Sequence, residues 1–95
     1  MIVRISGTGQ FELDDSGVRE LDRLDTDLTE ALQGSQADAF RRLLAQTIAF
    51  VREHGTSVAD DRVVGSEVII PPEDVTMEEA QQFFTDEGLM APLPA

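Results

Sequence analysis

The sequence predicts an α+β fold in which three helices pack on a small three-stranded sheet, in the order ββααβα. Short segments rich in β-branched residues occur at the N-terminus and again over 67–70, which indicates strands. Between them, apolar residues recur at spacings of three and four, which indicates amphipathic helices. A chain of 95 residues has room for one domain, so we expect a single domain over 1–95, with a short tail over 89–95.

Two short strands around a glycine-containing turn predict an N-terminal β-hairpin. Segment 1–5 is rich in β-formers, and after Gly7-Thr8-Gly9 the segment 10–14 alternates polar and apolar residues. Phe11 and Leu13 are then expected to share one face and point at the core. The G-x-G turn does not match a dinucleotide fingerprint, because the third glycine is missing and a strand follows instead of a helix.

Two amphipathic helices are predicted next, joined by a very short link into an antiparallel hairpin. Asp14 supplies N-cap chemistry for the first helix, and Gly34 is expected to end it in the left-handed cap conformation. Ser35 opens a capping-box pattern for the second helix, and Gly55 is its expected end. The charged residues of the first helix, Asp25 among them, are expected on its solvated face. The apolar stripes are Val18, Leu21, Leu24, Leu28 and Leu32, and then Phe40, Leu43, Leu44, Thr47, Ile48 and Val51.

The last third of the chain predicts a loop, a short strand and a third helix. Residues 56–65 have the composition of a loop. The strand over 67–70 stops at Pro71-Pro72, which favours a position at the edge of the sheet. Thr76-Met77-Glu78-Glu79 has the form of a capping box and predicts a helix that continues until Gly88.

The composition narrows the possible functions. The chain has 19 acidic residues against seven arginines and a net charge of −12, so it is expected to repel nucleic-acid phosphates and anionic lipid. Cysteine is absent, which excludes disulfides, thiolate metal sites and cysteine nucleophiles. No signal peptide and no apolar run of about 20 residues is visible. The sequence therefore predicts a cytoplasmic protein without direct membrane insertion.

Single residues that could carry chemistry have simpler interpretations. His54 is the sole histidine, and its place at a predicted helix end favours a stabilising interaction with the helix dipole over catalysis. Asp22, Asp25 and Asp27 lie on a predicted helix without the central glycine of a calcium loop, and the acidic pairs are sequence neighbours whose side chains diverge. The sequence therefore predicts no catalytic residue, no cofactor and no metal site, and hence a protein that is not an enzyme.

The distribution of charge is more informative. Residues 1–59 hold ten acids and six arginines, whereas residues 60–95 hold nine acids and one arginine. Acids cluster where the last strand meets the last helix, and they predict a surface that binds a basic partner. A role in solubility alone would explain the same charge, and both interpretations stay open. The predicted partner-binding residues are Glu67, Glu73, Asp74, Glu78 and Glu79.

Several segments, taken in order, resemble the PspA-associated protein family. They are Met1-Ile2-Val3-Arg4-Ile5, Gly7-Thr8-Gly9-Gln10-Phe11, Phe40-Arg41, Val51-Arg52-Glu53 with Gly55-Thr56, Ser66 to Pro72, Asp74 to Glu79 and Glu87-Gly88-Leu89. The resemblance implies a non-enzymatic partner or regulator of PspA, a coiled-coil membrane-remodelling protein of the phage-shock envelope stress response. It also implies a cytoplasmic location at the inner face of the membrane, reached through that partner.

Two other functions are compatible with the residues. A hairpin and helices could build a winged-helix transcriptional regulator, but its recognition helix should show a basic stripe, and only Arg41-Arg42 offers one. A small hydrolase that uses surface acids has only the abundance of those acids in its favour. The sequence leaves the oligomeric state undetermined.

Overall fold

The computed structural model describes residues 1–59, 65–66, 68–84 and 88. It confirms the N-terminal hairpin, in which β1 (Ile2–Ile5) pairs antiparallel with β2 (Gly9–Glu12). The Thr8 N–H donates to the Ile5 carbonyl at 2.9 Å and closes the turn. Gly7 and Gly9 have φ angles of 82° and 142°, which a residue without a Cβ adopts at no steric penalty.

The first long helix, α1 (Asp15–Gln33), begins as predicted and ends differently. Asp14 is its N-cap, and its Oδ1 accepts from the Gly17 N–H at 2.8 Å. The prediction that Gly34 ends α1 in the left-handed conformation is wrong, because the φ angle of Gly34 is −83°. Ser35 takes the left-handed conformation instead, with φ 55°.

The link to the second long helix, α2 (Ala37–His54), explains that difference. The N–H groups of Ser35 and Gln36 donate to the carbonyls of Leu32 and Ala31, at 3.1 and 2.9 Å, which is the Schellman pattern that closes a helix C-terminus. Ser35 therefore belongs to the end of α1, and the predicted capping box that starts at Ser35 is wrong. The N-cap of α2 is Gln36, whose side chain makes no cap hydrogen bond. Gly55 ends α2 as predicted.

Within the described residues the sheet has four strands where three were predicted. Thr56–Ser57, expected to be loop, forms β3 and pairs antiparallel with β2, while β4 (Val68–Ile70) pairs parallel with β1. The strand order is β3-β2-β1-β4, so the element order is ββααββα. A two-residue strand is too short to show a periodic pattern, and it forms because the chain leaving α2 meets the open side of β2. The edge position predicted for the last strand agrees with this order.

The third helix is shorter than predicted. Its capping box is present, but α3 spans only Met77–Ala80; residues 81–83 form a turn, so the helix that was predicted to continue until Gly88 ends at Ala80. The N–H groups of Gln82 and Phe83 donate to carbonyls three residues back, at 3.0 Å each. This tighter bonding is typical of a helix that is ending.

One buried cluster joins the sheet, both long helices and α3. Leu44 is fully buried and Ile48 is 8% exposed, as their place in the α2 stripe predicts. Leu13 is buried and Phe11 packs against the cluster, so both contribute to the core as expected. The rings of Phe40 and Phe84 meet edge-on with centroids 5.9 Å apart, which ties the segment after α3 to α2.

Asp25 is not on a solvated face, contrary to expectation. Its side chain is only 3% exposed. The position lies four residues after Leu21 and three before Leu28, both fully buried, so it is on the inward side of α1. Asp25 is thus a buried charged residue in the part of the chain that the structure describes.

Candidate functional site

The acids predicted to bind a partner lie where β4 gives way to α3. The structure describes four of them, Glu73, Asp74, Glu78 and Glu79, which we call the acidic junction; the fifth predicted residue, Glu67, lies outside the described residues. All four are exposed.

Buried neighbours fix the path of the chain through the acidic junction. Pro71 and Val75 are buried, and the Val75 N–H donates to the Pro72 carbonyl at 3.0 Å. Between these anchors, Glu73 and Asp74 form a turn on the surface. The two carboxylates therefore lie on a backbone that is held from both sides, so little backbone entropy remains to be lost there.

The four acids do not have the same role. Thr76 Oγ1 accepts from the Glu79 N–H at 3.1 Å and donates to Glu79 Oε1 at 2.9 Å, so Glu79 serves the capping box. Glu73, Asp74 and Glu78 make no ion pair or side-chain hydrogen bond with any described residue. These three carboxylates are the ones that the fold leaves available for a partner.

The ion pairs of the described residues lie elsewhere. Arg23 on α1 bonds Glu20 and also lies 3.7 Å from Asp27. The hydrogen bond from Arg23 lowers the pKa of Glu20, and the same bond raises the pKa of Arg23. Neither pair reaches the acidic junction, so its negative charge is not neutralised by them.

A cleft of about 320 Å³ opens between the start of α1 and the end of α2. Its carboxylates already make structural contacts: Asp14 caps α1 and Glu20 pairs with Arg23. The Gly17 N–H and then the Ser16 hydroxyl lower the pKa of Asp14, so this carboxylate stays ionised as the helix cap. The cleft is lined by Asp14, Ser16, Gly17, Glu20, Phe50 and His54.

His54 lies at the end of α2, as predicted, and its ring stacks on Phe50 with centroids 4.5 Å apart. The Ser16 hydroxyl in the same cleft donates to Asp14 Oδ1 at 3.2 Å. A nucleophile activated by His54 would instead direct its hydroxyl at the imidazole. The geometry of this cleft therefore supports a helix-capping arrangement.

Sequence reasoning missed one exposed feature close to the acidic junction. Ile69, in the middle of β4, is 47% exposed, although its neighbours Val68 and Ile70 are buried. Alternation in a strand is the signal that could have found it, because the middle residue of a three-residue strand must face away from the core when its neighbours face inward.

No group of three or more His, Asp or Glu side chains among the described residues is placed to hold a metal ion. None of the described helices combines the length and the apolar character that a membrane span needs.

Comparison with known proteins identifies the family. A search of curated proteins found no match, and a search of solved structures found none. The family model of the PspA-associated protein matches residues 1–92, nearly the entire chain. The chain therefore belongs to the PspA-associated protein family.

Proposed function

We propose that this protein is a non-enzymatic interaction module that binds a PspA-type coiled-coil protein and regulates it in the envelope stress response. The observation that carries the proposal is the family match over residues 1–92. In this proposal the protein acts in the cytoplasm and reaches the inner face of the membrane through its partner.

The acidic junction supports this proposal by supplying a docking surface. Glu73, Asp74 and Glu78 are exposed, unpaired with described residues and carried by a backbone anchored at Pro71 and Val75. Such a surface attracts basic residues from a distance and speeds the encounter with a basic partner. A long coiled-coil protein displays many charged side chains along its helices, so it offers basic counterparts.

The test measures association with the PspA-type protein encoded in the same genome. A single exposed ion pair contributes only about 0–1 kcal/mol, so three residues are reversed together in the Glu73→Lys, Asp74→Lys, Glu78→Lys variant. The matched control reverses three exposed acids elsewhere, Asp22→Lys, Glu30→Lys and Glu53→Lys, and has the same net charge.

We expect the junction variant to associate several-fold more slowly than the control at low salt. The difference should shrink at 1 M salt, where the Debye length is roughly 3 Å. A folded junction variant that captures the partner at the control's rate removes the acidic junction from the proposal. A wild-type protein that does not bind the PspA-type protein contradicts the proposed function itself.

A further inference from the structure

Strand β4 presents an open edge at Ile69. The Ser6 N–H donates to the Ile70 carbonyl at 3.0 Å, and the register sets Ile5 opposite Ile70. In a parallel ladder, alternate residues direct their N–H and C=O groups at the same neighbour. Ile70 therefore bonds to β1, and the backbone groups of Ile69 point away from it. Within the described parts of the chain, no strand lies on that side of β4.

The Ile69 side chain adds an apolar contact to this edge. It is 47% exposed and lies beside Arg4 and Gln10 in one row across the outer face of the sheet. Proteins usually protect an edge strand with a charged residue, a proline or a bulge. Pro71 ends β4 but does not block position 69, so a peptide group that pairs with no described residue and an exposed isoleucine occur together.

The charged residues near this edge determine which kind of strand fits it, and the two acids after β4 outnumber Arg4, the cation beside Ile69. Glu73 and Asp74 lie three and four residues after Ile70, the last residue of β4; both are exposed and pair with no described residue. An extended strand advances about 3.3 Å per residue, so basic residues within roughly four positions of its apolar residue reach the same region. A second copy of this chain brings a net charge of −12 to the same place and is repelled.

We propose that β4 binds an extended basic segment of a partner protein by β-strand addition. The partner's backbone pairs with the N–H and C=O of Ile69, an apolar partner residue lies beside the Ile69 side chain, and its basic residues face Glu73 and Asp74. Main-chain hydrogen bonds supply affinity in this mode, and side chains supply selectivity. The inference deepens the proposed docking at the acidic junction: it assigns the contact to an extended segment outside the partner's coiled-coil helices, and it rests on the proposed function for the sign of the partner's charge.

The probe is a synthetic eight-residue peptide that alternates arginine and valine, and the readout is amide hydrogen exchange of the wild-type protein followed by NMR. We expect saturating peptide to slow exchange of the Ile69 amide at least tenfold, because that N–H gains an acceptor. The Ile70 amide, already bonded to β1, should change little. The same peptide methylated at every internal amide nitrogen keeps the charge and should give no slowing, and neither should a peptide that alternates glutamate and valine.

Two variants distinguish binding of the peptide at this edge from a general effect of the protein's net charge. Ile69→Lys places a cation on the edge and should weaken binding of the arginine–valine peptide about tenfold, which corresponds to about 1.4 kcal/mol. Asp22→Asn changes the net charge by the same single unit on the distant surface of α1 and should bind like the wild type. Wild-type affinity of a folded Ile69→Lys variant, or unchanged exchange at Ile69, overturns the proposal.

Two further outcomes would show what occupies the edge and whether the proposed function holds. If the Ile69 amide of the protein alone becomes protected as protein concentration rises, a second copy occupies the edge and the proposal is wrong. If the peptide protects Ile69 but the wild-type protein does not bind the PspA-type protein, the edge site stands and the proposed function fails.

Discussion

Gly88 packs directly against the buried carboxylate of Asp25. A Cβ built at position 88 would lie 2.7 Å from Asp25 Oδ2 and 2.9 Å from Thr29 Oγ1, closer than real Cβ atoms approach other atoms. Gly88 also has φ 94°, which residues with side chains rarely adopt. A residue far along the chain is thereby held against the middle of α1.

The first prediction is that Gly88→Ala destabilises the protein. The positive φ alone costs an alanine about 1–3 kcal/mol, and the close approach to Asp25 and Thr29 adds to it. Urea unfolding should therefore show a lower midpoint. In a double-mutant cycle with Asp25→Ala, the effect of Gly88→Ala should become smaller, because one of the two clashes is gone. An unchanged midpoint for Gly88→Ala contradicts the contact.

The second prediction is that Ser35→Gly stabilises the protein. Ser35 has φ 55° at the end of α1, a conformation that costs a residue with a Cβ about 1–2 kcal/mol and a glycine much less. Part of the gain is lost because glycine has more freedom in the unfolded chain. We expect a net gain of about 0.5–1 kcal/mol by urea unfolding. Gln33→Gly is the comparison, because Gln33 is an exposed helical residue of α1 without a positive φ, so glycine relieves no strain there and should destabilise the protein.

The third prediction concerns the centre of the core. Leu44 is fully buried and Ile48 is 8% exposed on the inward face of α2. Replacing either by alanine removes buried methyl groups and leaves a cavity, with a loss of about 2–5 kcal/mol. Ala49→Gly is the control, because it changes an exposed position of the same helix and should cost only about 1 kcal/mol. An alanine variant at 44 or 48 that unfolds at the wild-type urea midpoint shows that this face of α2 has been assigned wrongly.

The fourth prediction is a pH dependence that arises at Asp14. The Gly17 N–H holds the pKa of Asp14 below its ordinary value of 3.8, so the ionised carboxylate stabilises the fold above that value. This contribution disappears as the pH falls through the lower, folded-state pKa. Thermal unfolding of the wild type and of Asp14→Ala should therefore differ at neutral pH, and the difference should shrink as the pH falls below 3.8.

Asp14→Asn isolates the role of charge in that experiment. Asparagine keeps an oxygen that accepts from Gly17, so it still caps α1. The difference between the wild type and Asp14→Asn should be smaller at neutral pH than that for Asp14→Ala, and it should also vanish on acidification. If the advantage of the wild type over Asp14→Ala persists unchanged throughout acidification, the cap does not depend on an ionised Asp14.

The parts of the fold that the sequence predicted are those with a strong local signal. Alternation and glycines located the hairpin, and the Asp14 cap and apolar stripes located both long helices. Phe11 and Leu13 join the core because alternation assigns a face directly. The Thr76–Glu79 capping box was predicted for the same reason, since four consecutive residues contain all of its chemistry.

The errors occur where tertiary contacts decide the outcome. Thr56–Ser57 becomes a strand because β2 offers it a partner, which no two-residue pattern can show. Ser35 was assigned to the wrong helix, because a serine between two helices fits either a C-terminal turn or an N-cap. Asp25 was predicted to be solvated because it is charged, although its position in the helix faces inward. Gly88, which packs against it, lies 63 positions further along the chain, so local sequence could not show the contact.

The candidate site was only partly predictable. The sequence located the acids, and the structure separates Glu79, which holds the capping box, from Glu73, Asp74 and Glu78, which pair with no described residue. The open edge at Ile69 could not be predicted, because it depends on which strand pairs with β4 and in which direction. Together, that edge and the nearby acids define the kind of partner more narrowly than the negative charge alone does.

The last prediction is that the isolated protein binds neither DNA nor anionic vesicles. A net charge of −12 repels phosphate groups, and nucleic-acid affinity depends on basic residues that displace counterions. Among the described helices, only α2 has more basic than acidic residues, and Arg41, Arg42 and Arg52 are its exposed cations. Three charges on one helix supply little against the repulsion from the whole molecule, so we expect no micromolar binding at about 150 mM salt.

The measurement titrates duplex DNA and phosphatidylglycerol vesicles into the wild-type protein and into an Arg41→Glu, Arg42→Glu variant. If the prediction holds, neither protein binds, and the two titrations are indistinguishable. Micromolar binding of DNA that weakens steeply with salt and is lost in the variant would favour the winged-helix interpretation, with α2 as the recognition helix. Vesicle binding with the same dependence on Arg41 and Arg42 would instead mean that α2 contacts the membrane directly, so that membrane recruitment would not require the PspA-type partner.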